Sequence, residues 1–383
     1  MESLKYSLSE LPVWHGVSNK HRPIVKKPFV ISLEDSGYIK QVSEPEQGEF
    51  LVTEYEDDGY NWITPPPGAS EWANRLGDIY FDYFAEKVGK VIEGKNIIEI
   101  GAGSLYISNK IIDTFSINSY LIVDPGIRHT ANRDQIKIVK EYYNDDLNLE
   151  DKIDICICLN ALEHVFNPGE IVKKLSVDLS ENGEAVLVFP GIEKQFKNGD
   201  FNALLHEHVN YFTKESCDQI FTKSGFDILD FDEREDTYYY HLRKNNTTPS
   251  EESFNLEYTG NLFSESIEIF EKNLAFFSEQ VGNLLKEDKK IIFHGATNGL
   301  NNLLGICGFD NHANIEVIDG DVYKHGKFIS ANNKEIKGPQ SYKTLDFDVV
   351  IISAMSFYEP IQKALVEDFN IDSNKIKTIY PLS

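Results

Sequence analysis

Ile97-Ile98-Glu99-Ile100-Gly101-Ala102-Gly103-Ser104 decides how this chain is read: an acid inside an apolar, β-branched run, with two glycines at its exit. Such a run predicts a buried strand, because branched side chains pack well on a pleated surface. Gly101 and Gly103 then predict a tight turn whose backbone can approach a ligand with no Cβ in the way. Downstream, Tyr120-Leu121-Ile122-Val123 forms a second apolar run that ends in Asp124, where a carboxylate can accept both hydroxyls of a ribose.

A dinucleotide-binding turn or a purely structural one would share these glycines. The dinucleotide form needs a third glycine at 106, and the bulky ring of Tyr106 opposes the close helix packing that glycine allows. Outward from this segment, apolar runs alternate with amphipathic ones, the texture of a parallel α/β sheet. Further strands are expected at Ile136–Val139, Ile153–Leu159 and Glu184–Phe189. Phe226–Glu233 and Tyr238–Arg243 follow each other across a short polar turn and predict an antiparallel pair. Five parallel strands plus such a pair is the sheet of class I methyltransferases. The segment Ile97 to Asp124 resembles motifs I and II of those enzymes, which implies that Glu99, Gly101, Gly103 and Asp124 bind S-adenosylmethionine (SAM). Leu105 departs from the commoner G-x-G-x-G form.

On the N-terminal side, residues 1–70 read as a small β-rich lobe with short runs at Phe29–Leu33 and Glu49–Glu54, closing on Pro65-Pro66-Pro67-Gly68. A helical pattern follows from Trp72 to about Val91. On the other side, the polar stretch Lys244 to Glu252 is the clearest linker. A long helix is expected over Leu262–Leu285, and then a second α/β set opens with Ile291-Ile292-Phe293-His294-Gly295 and continues at Ile315–Ile318, Val349–Ser353 and Ile376–Tyr380. The expected architecture is α/β: a methyltransferase Rossmann-like domain (71–245) between the N-terminal lobe (1–70) and a smaller C-terminal Rossmann-like domain (246–383).

Composition bounds the partners. The chain has 383 residues, enough for more than one core, and 41% are hydrophobic. A formal charge of −25 repels a nucleic-acid backbone, so DNA and RNA are excluded as substrates, while a small nucleotide-linked molecule is not. Cys156, Cys158, Cys217 and Cys307 lack paired metal spacing and read as core residues. No apolar run approaches membrane-spanning length and no leader pattern opens the chain, so a cytoplasmic protein is expected.

Two strings carry the chemistry. Asn160 follows the fourth strand, and His164 stands one helical turn on, facing the same way; a capping or core histidine is the alternative, and Glu163 is expected to point elsewhere. Leu204-Leu205-His206-Glu207-His208-Val209-Asn210-Tyr211-Phe212-Thr213 precedes a helix that Thr213 can cap and Gly225 can end, so it sits in a loop over the carboxyl edge of the sheet. A surface loop with two solvated histidines is the alternative. A zinc site at His206 and His208 lacks both H-E-x-x-H spacing and a further ligand cluster, so no metal is expected.

Taken in order, the glycine loop, Asn160-x-x-Glu163-His164, His206-Glu207-His208-x-x-Tyr211-Phe212 and Phe293-His294-Gly295-Ala296-x-x-Gly299 resemble the sugar C-methyltransferases. That family methylates the carbon beside the ketone of nucleotide-linked 4-keto-deoxysugars. The resemblance covers the whole chain and implies His208 as general base, Glu207 as its partner, and Asn160 and His164 as sugar contacts, with Tyr60, His206 and Tyr211 also facing the substrate. It implies a C-terminal module that helps hold the nucleotide-sugar and an N-terminal zinc lobe. This chain has no cysteine in that lobe, and Leu205 stands where the family often carries tyrosine. Methylation of a hydroxyl or amine, an NAD-dependent oxidoreductase and a silent sugar-nucleotide binding protein remain the competing readings.

Overall fold

The computed structural model describes residues 4–42, 67–68, 70–234, 236–245 and 253–381. Lys5–Pro12 (β1), Lys26–Leu33 (β2) and Ile39–Gln41 (β3) form an antiparallel sheet. Its fourth strand is Asn210–Tyr211 (β9 in chain order), paired with β3 and supplied by the histidine-rich loop. The expected run at Glu49–Glu54 lies outside the described residues.

Glu71–Val88 is the first helix (α1), and the Ser70 hydroxyl caps it by accepting the Ala73 amide. The central sheet follows: Asn96–Ile100 (β4), helix Tyr106–Thr114 (α2), Ser119–Val123 (β5), Ile136–Val139 (β6) and Ile153–Leu159 (β7). Then come Pro168–Asp178 (α3), Leu179–Pro190 (β8), Glu193–Lys197 (α4) and Lys214–Lys223 (α5). Phe226–Arg234 (β10) and Thr237–Lys244 (β11) complete it. The strand order is β10-β11-β8-β7-β4-β5-β6, with β11 antiparallel to both β8 and β10 and the rest parallel. β8 begins earlier than its apolar run because Leu179 already pairs with Ile153 across a register shift. As expected from sequence, Thr213 caps α5 through a reciprocal box with Ser216, and Gly225 follows the helix with φ +89°.

The long helix Glu257–Lys286 (α6) starts one turn before the expected point. The C-terminal sheet is Ile291–His294 (β12), Ile315–Ile318 (β13), Val349–Ile352 (β14) and Ile376–Thr378 (β15), all parallel in the order β13-β12-β14-β15, with helices Asn298–Ile306 (α7) and Tyr358–Glu367 (α8).

One apolar core joins what the sequence presents as separate lobes. Tyr6, Leu11 and Phe29 of the N-terminal sheet pack with Phe196, Phe201 and Leu205, with Phe270 and Phe277 of α6, and with Phe293 and Leu300. Among the described residues, no helix is long and apolar enough to cross a membrane.

Candidate active site

A cavity of about 1130 Å³ opens at the carboxyl edge of the central sheet, spacious enough for two ligands of metabolite size. Its floor is the turn after β4. Gly101 and Gly103 have φ of +71° and +63°, which glycine adopts without strain. A Cβ on Gly101 would stand 2.5 Å from that of Ala161, so the close approach of the two segments needs glycine here.

Asp124, at the end of β5, accepts the Gly103 amide on one carboxylate oxygen and the Gly126 amide on the other, each at 2.7 Å. Each oxygen keeps lone-pair capacity for a ribose hydroxyl. Glu99 does not line the cavity: it is buried within β4, where Tyr120 donates a 2.7 Å hydrogen bond to it from the next strand. Burial, with Asp124 nearby, pushes its carboxyl up to about 8.

Asn160 closes β7 in the left-handed region at φ +50°, open to the cavity, and its side-chain amide donates to the Tyr80 hydroxyl of α1 at 3.1 Å. The single 3-10 turn after it, Leu162–His164, brings His164 to the wall, and its Nδ1 donates to the Glu207 carbonyl at 2.9 Å. That bond fixes the tautomer, since a carbonyl can only accept. His208 stands edge-on to His164 with ring centroids 5.1 Å apart. Burial holds His164 down at about 4, and burial plus the His164 ring holds His208 well below the ordinary imidazole value, so both rings are neutral and carry a lone pair. Glu207 lines the same wall.

Glu163 corrects a sequence expectation. It lines this cavity, only 2% exposed, with Oε1 3.6 Å from His164 Nε2. Its Oε2 is buried with no hydrogen-bond partner among the described residues, and burial pushes the carboxyl up to about 8. Both Glu163 and His164 line the cavity although successive side chains of a 3-10 turn point about 120° apart, because the cavity wall bends around the turn, and the sequence carries no sign of this beyond the adjacency of the two residues.

The structure does not bring His206 and Tyr211 to the cavity. His206 faces the N-terminal sheet, bonded to the Leu11 carbonyl at 3.1 Å and edge-on to Phe29. The Tyr211 hydroxyl donates to the Leu205 carbonyl at 3.1 Å inside the apolar core. Tyr60 lies outside the described residues. Sequence reasoning also missed Arg234, the one permanent cation among the described residues lining the cavity; it lies over the Tyr239 ring and binds Asp232 at 2.7 Å.

Fold, glycine turn and terminal aspartate together define a SAM-dependent methyltransferase. Residues 72–230 match the family described as a methyltransferase domain, and residues 287–377 match the C2185-like N-terminal family. Among solved structures, the chain resembles the N-methyltransferase NodS of Bradyrhizobium japonicum bound to S-adenosyl-L-homocysteine, at 11% identity and a TM-score of 0.38, over 52% of this chain and 98% of that one. It also resembles a SAM-dependent methyltransferase of Clostridium acetobutylicum, at 12% identity and a TM-score of 0.36, over 46% of this chain and 100% of the other. No curated protein matches the chain.

Proposed function

We propose that this enzyme methylates the carbon next to the ketone of a nucleotide-linked 4-keto-deoxysugar, with His208 as the base. One observation carries this reading: the His208 imidazole stands on the wall of the same cavity as the glycine turn and Asp124. Carbon is a poor nucleophile until a neighbouring ketone makes its proton removable and takes up the charge as an enolate. His208 would accept that proton, and the ion pair formed with the enolate would favour the protonated ring in a dry site. Asn160 and His164 would orient the sugar, and Glu207 would stabilise the imidazolium. Bound SAM supplies the electrophilic methyl.

Arg234 is suited to a diphosphate. The C-terminal domain reaches the cavity through Asn202, a wall residue whose side-chain oxygen accepts the Gly299 amide in the first turn of α7 at 2.7 Å. That supports a share for this domain in holding the nucleotide.

A second reading has one observation in its favour. The described wall carries Asp124, Asp145, Asp146, Glu163, Glu170 and Glu207 against Arg234 alone, which suits a neutral or cationic acceptor methylated on oxygen or nitrogen. Incubation with SAM and a panel of nucleotide-linked 4-keto sugars, with mass and NMR analysis of the product, tests both: a new carbon-bound methyl supports the first reading and an O- or N-methyl the second.

A further inference from the structure

We propose that Glu163, His164 and His208 form a binding site for a borderline divalent cation such as Zn²⁺ or Co²⁺, and that its occupation withdraws His208 from proton transfer. The inference goes beyond the methyl-transfer reading. One potential ligand atom from each residue lies within 4.8 Å of the others. Donors around a tetrahedral zinc stand about 3.4 Å apart, given metal–ligand bonds near 2.1 Å, so closing on an ion takes a shift of about 1 Å or less. Two imidazoles and one carboxylate, with the remaining positions open to the cavity, is a donor set that zinc, cobalt and iron(II) accept.

Three features point to a cation. His164 donates its Nδ1 hydrogen to the Glu207 carbonyl at 2.9 Å, the same outer bond that orients metal-ligating histidines. Second, the other ring nitrogen, Nε2, stands 3.6 Å from Glu163 Oε1, so two potential ligand atoms are already brought together. Finally, Glu163 Oε2 is buried with no hydrogen-bond partner among the described residues, a ligand atom whose desolvation is already complete. A divalent ion would release any proton on Glu163 to solvent and bind the lone pairs of His164 and His208, so the metal-free form is the one able to deprotonate a substrate.

Co²⁺ titration of the full-length, metal-free protein, read by visible d–d absorption, tests the site without any acceptor substrate. One intense set of bands at one equivalent is expected for the wild type. His208→Ala should abolish it, and Glu163→Gln, close to isosteric, should weaken Co²⁺ binding at least ~10-fold, with SAM affinity and circular dichroism unchanged. Absence of the bands in the wild type, or equal Co²⁺ affinity in all three proteins, overturns the proposal. Once an acceptor is known, Zn²⁺ should inhibit methyl transfer reversibly to EDTA; full activity with the Co²⁺ site saturated would overturn the claim that the ion captures the base, leaving the identity of the acceptor untouched.

Discussion

Asp124 binds two backbone amides that shape the glycine turn, and its remaining lone pairs face the cavity. Asp124→Ala would therefore remove both the proposed ribose contact and a tie of the loop, and should weaken SAM binding by at least ~2 kcal/mol, measured by calorimetry. His208 makes a separate prediction, because carbon methylation divides into proton removal and methyl transfer and only the first needs the base. With a SAM analogue lacking a transferable methyl, the enzyme should exchange the acidic proton of a good keto substrate with deuterated water. His208→Ala should abolish this exchange and lower methylation by ~10²–10⁴-fold while sparing SAM binding; near-normal turnover would remove the residue from the chemistry. Because burial holds His208 down, its lone pair persists into acid, so the acid limb of kcat/KM should fall below the ordinary imidazole range. Glu99 has the opposite sign. Its folded value, about 8, lies above its unfolded one, so its contribution to stability is complete below the unfolded value and is lost as pH rises through about 8. Glu99→Gln keeps an acceptor for Tyr120 and should lose less stability than wild type between neutral and alkaline pH, by on the order of 1 kcal/mol in denaturant titrations.

At the scale of elements, the segment leading into His208 is held from two sides. β9 pairs with β3 of the N-terminal sheet, while Asn298 and Asn302 of α7 donate to the carbonyls of Phe201 and Leu204. Asn302→Ala leaves those buried carbonyls short of a donor and should cost about 1–3 kcal/mol in global stability. It should also lower kcat more than SAM affinity, since the loop carries the proposed base and the glycine turn the proposed donor site. Equal losses in both would show that the asparagine only supports the fold. The strands of the central sheet were readable from apolar runs because each is self-contained. β9 was not, since two residues become a strand only when β3 is there to receive their hydrogen bonds.

For the whole molecule, the shared core makes the C-terminal domain part of the packing that holds the N-terminal sheet and the 201–213 segment. A chain ending at residue 245 would uncover the face that Phe270, Phe277 and Phe293 cover. In hydrogen exchange, amides of β2 and of 201–213 should lose protection in that truncation while those of β4 and β7 keep theirs; unchanged protection throughout would show that the N-terminal sheet and loop stand without it. By itself, the sequence determined the α/β class, the order of the central strands along the chain, the glycine turn at Gly101 and Gly103 and the loop that carries His208, because all of these are local: periodicity, glycine at positive φ, a capping threonine. Only the tertiary structure decided which side chains share the cavity. It turned Glu163 inward beside His164, sent His206 and Tyr211 into the core, and brought Arg234 from the edge hairpin to the wall. Those placements depend on which distant surfaces pack together, and facing direction in a loop has no period from which it can be read.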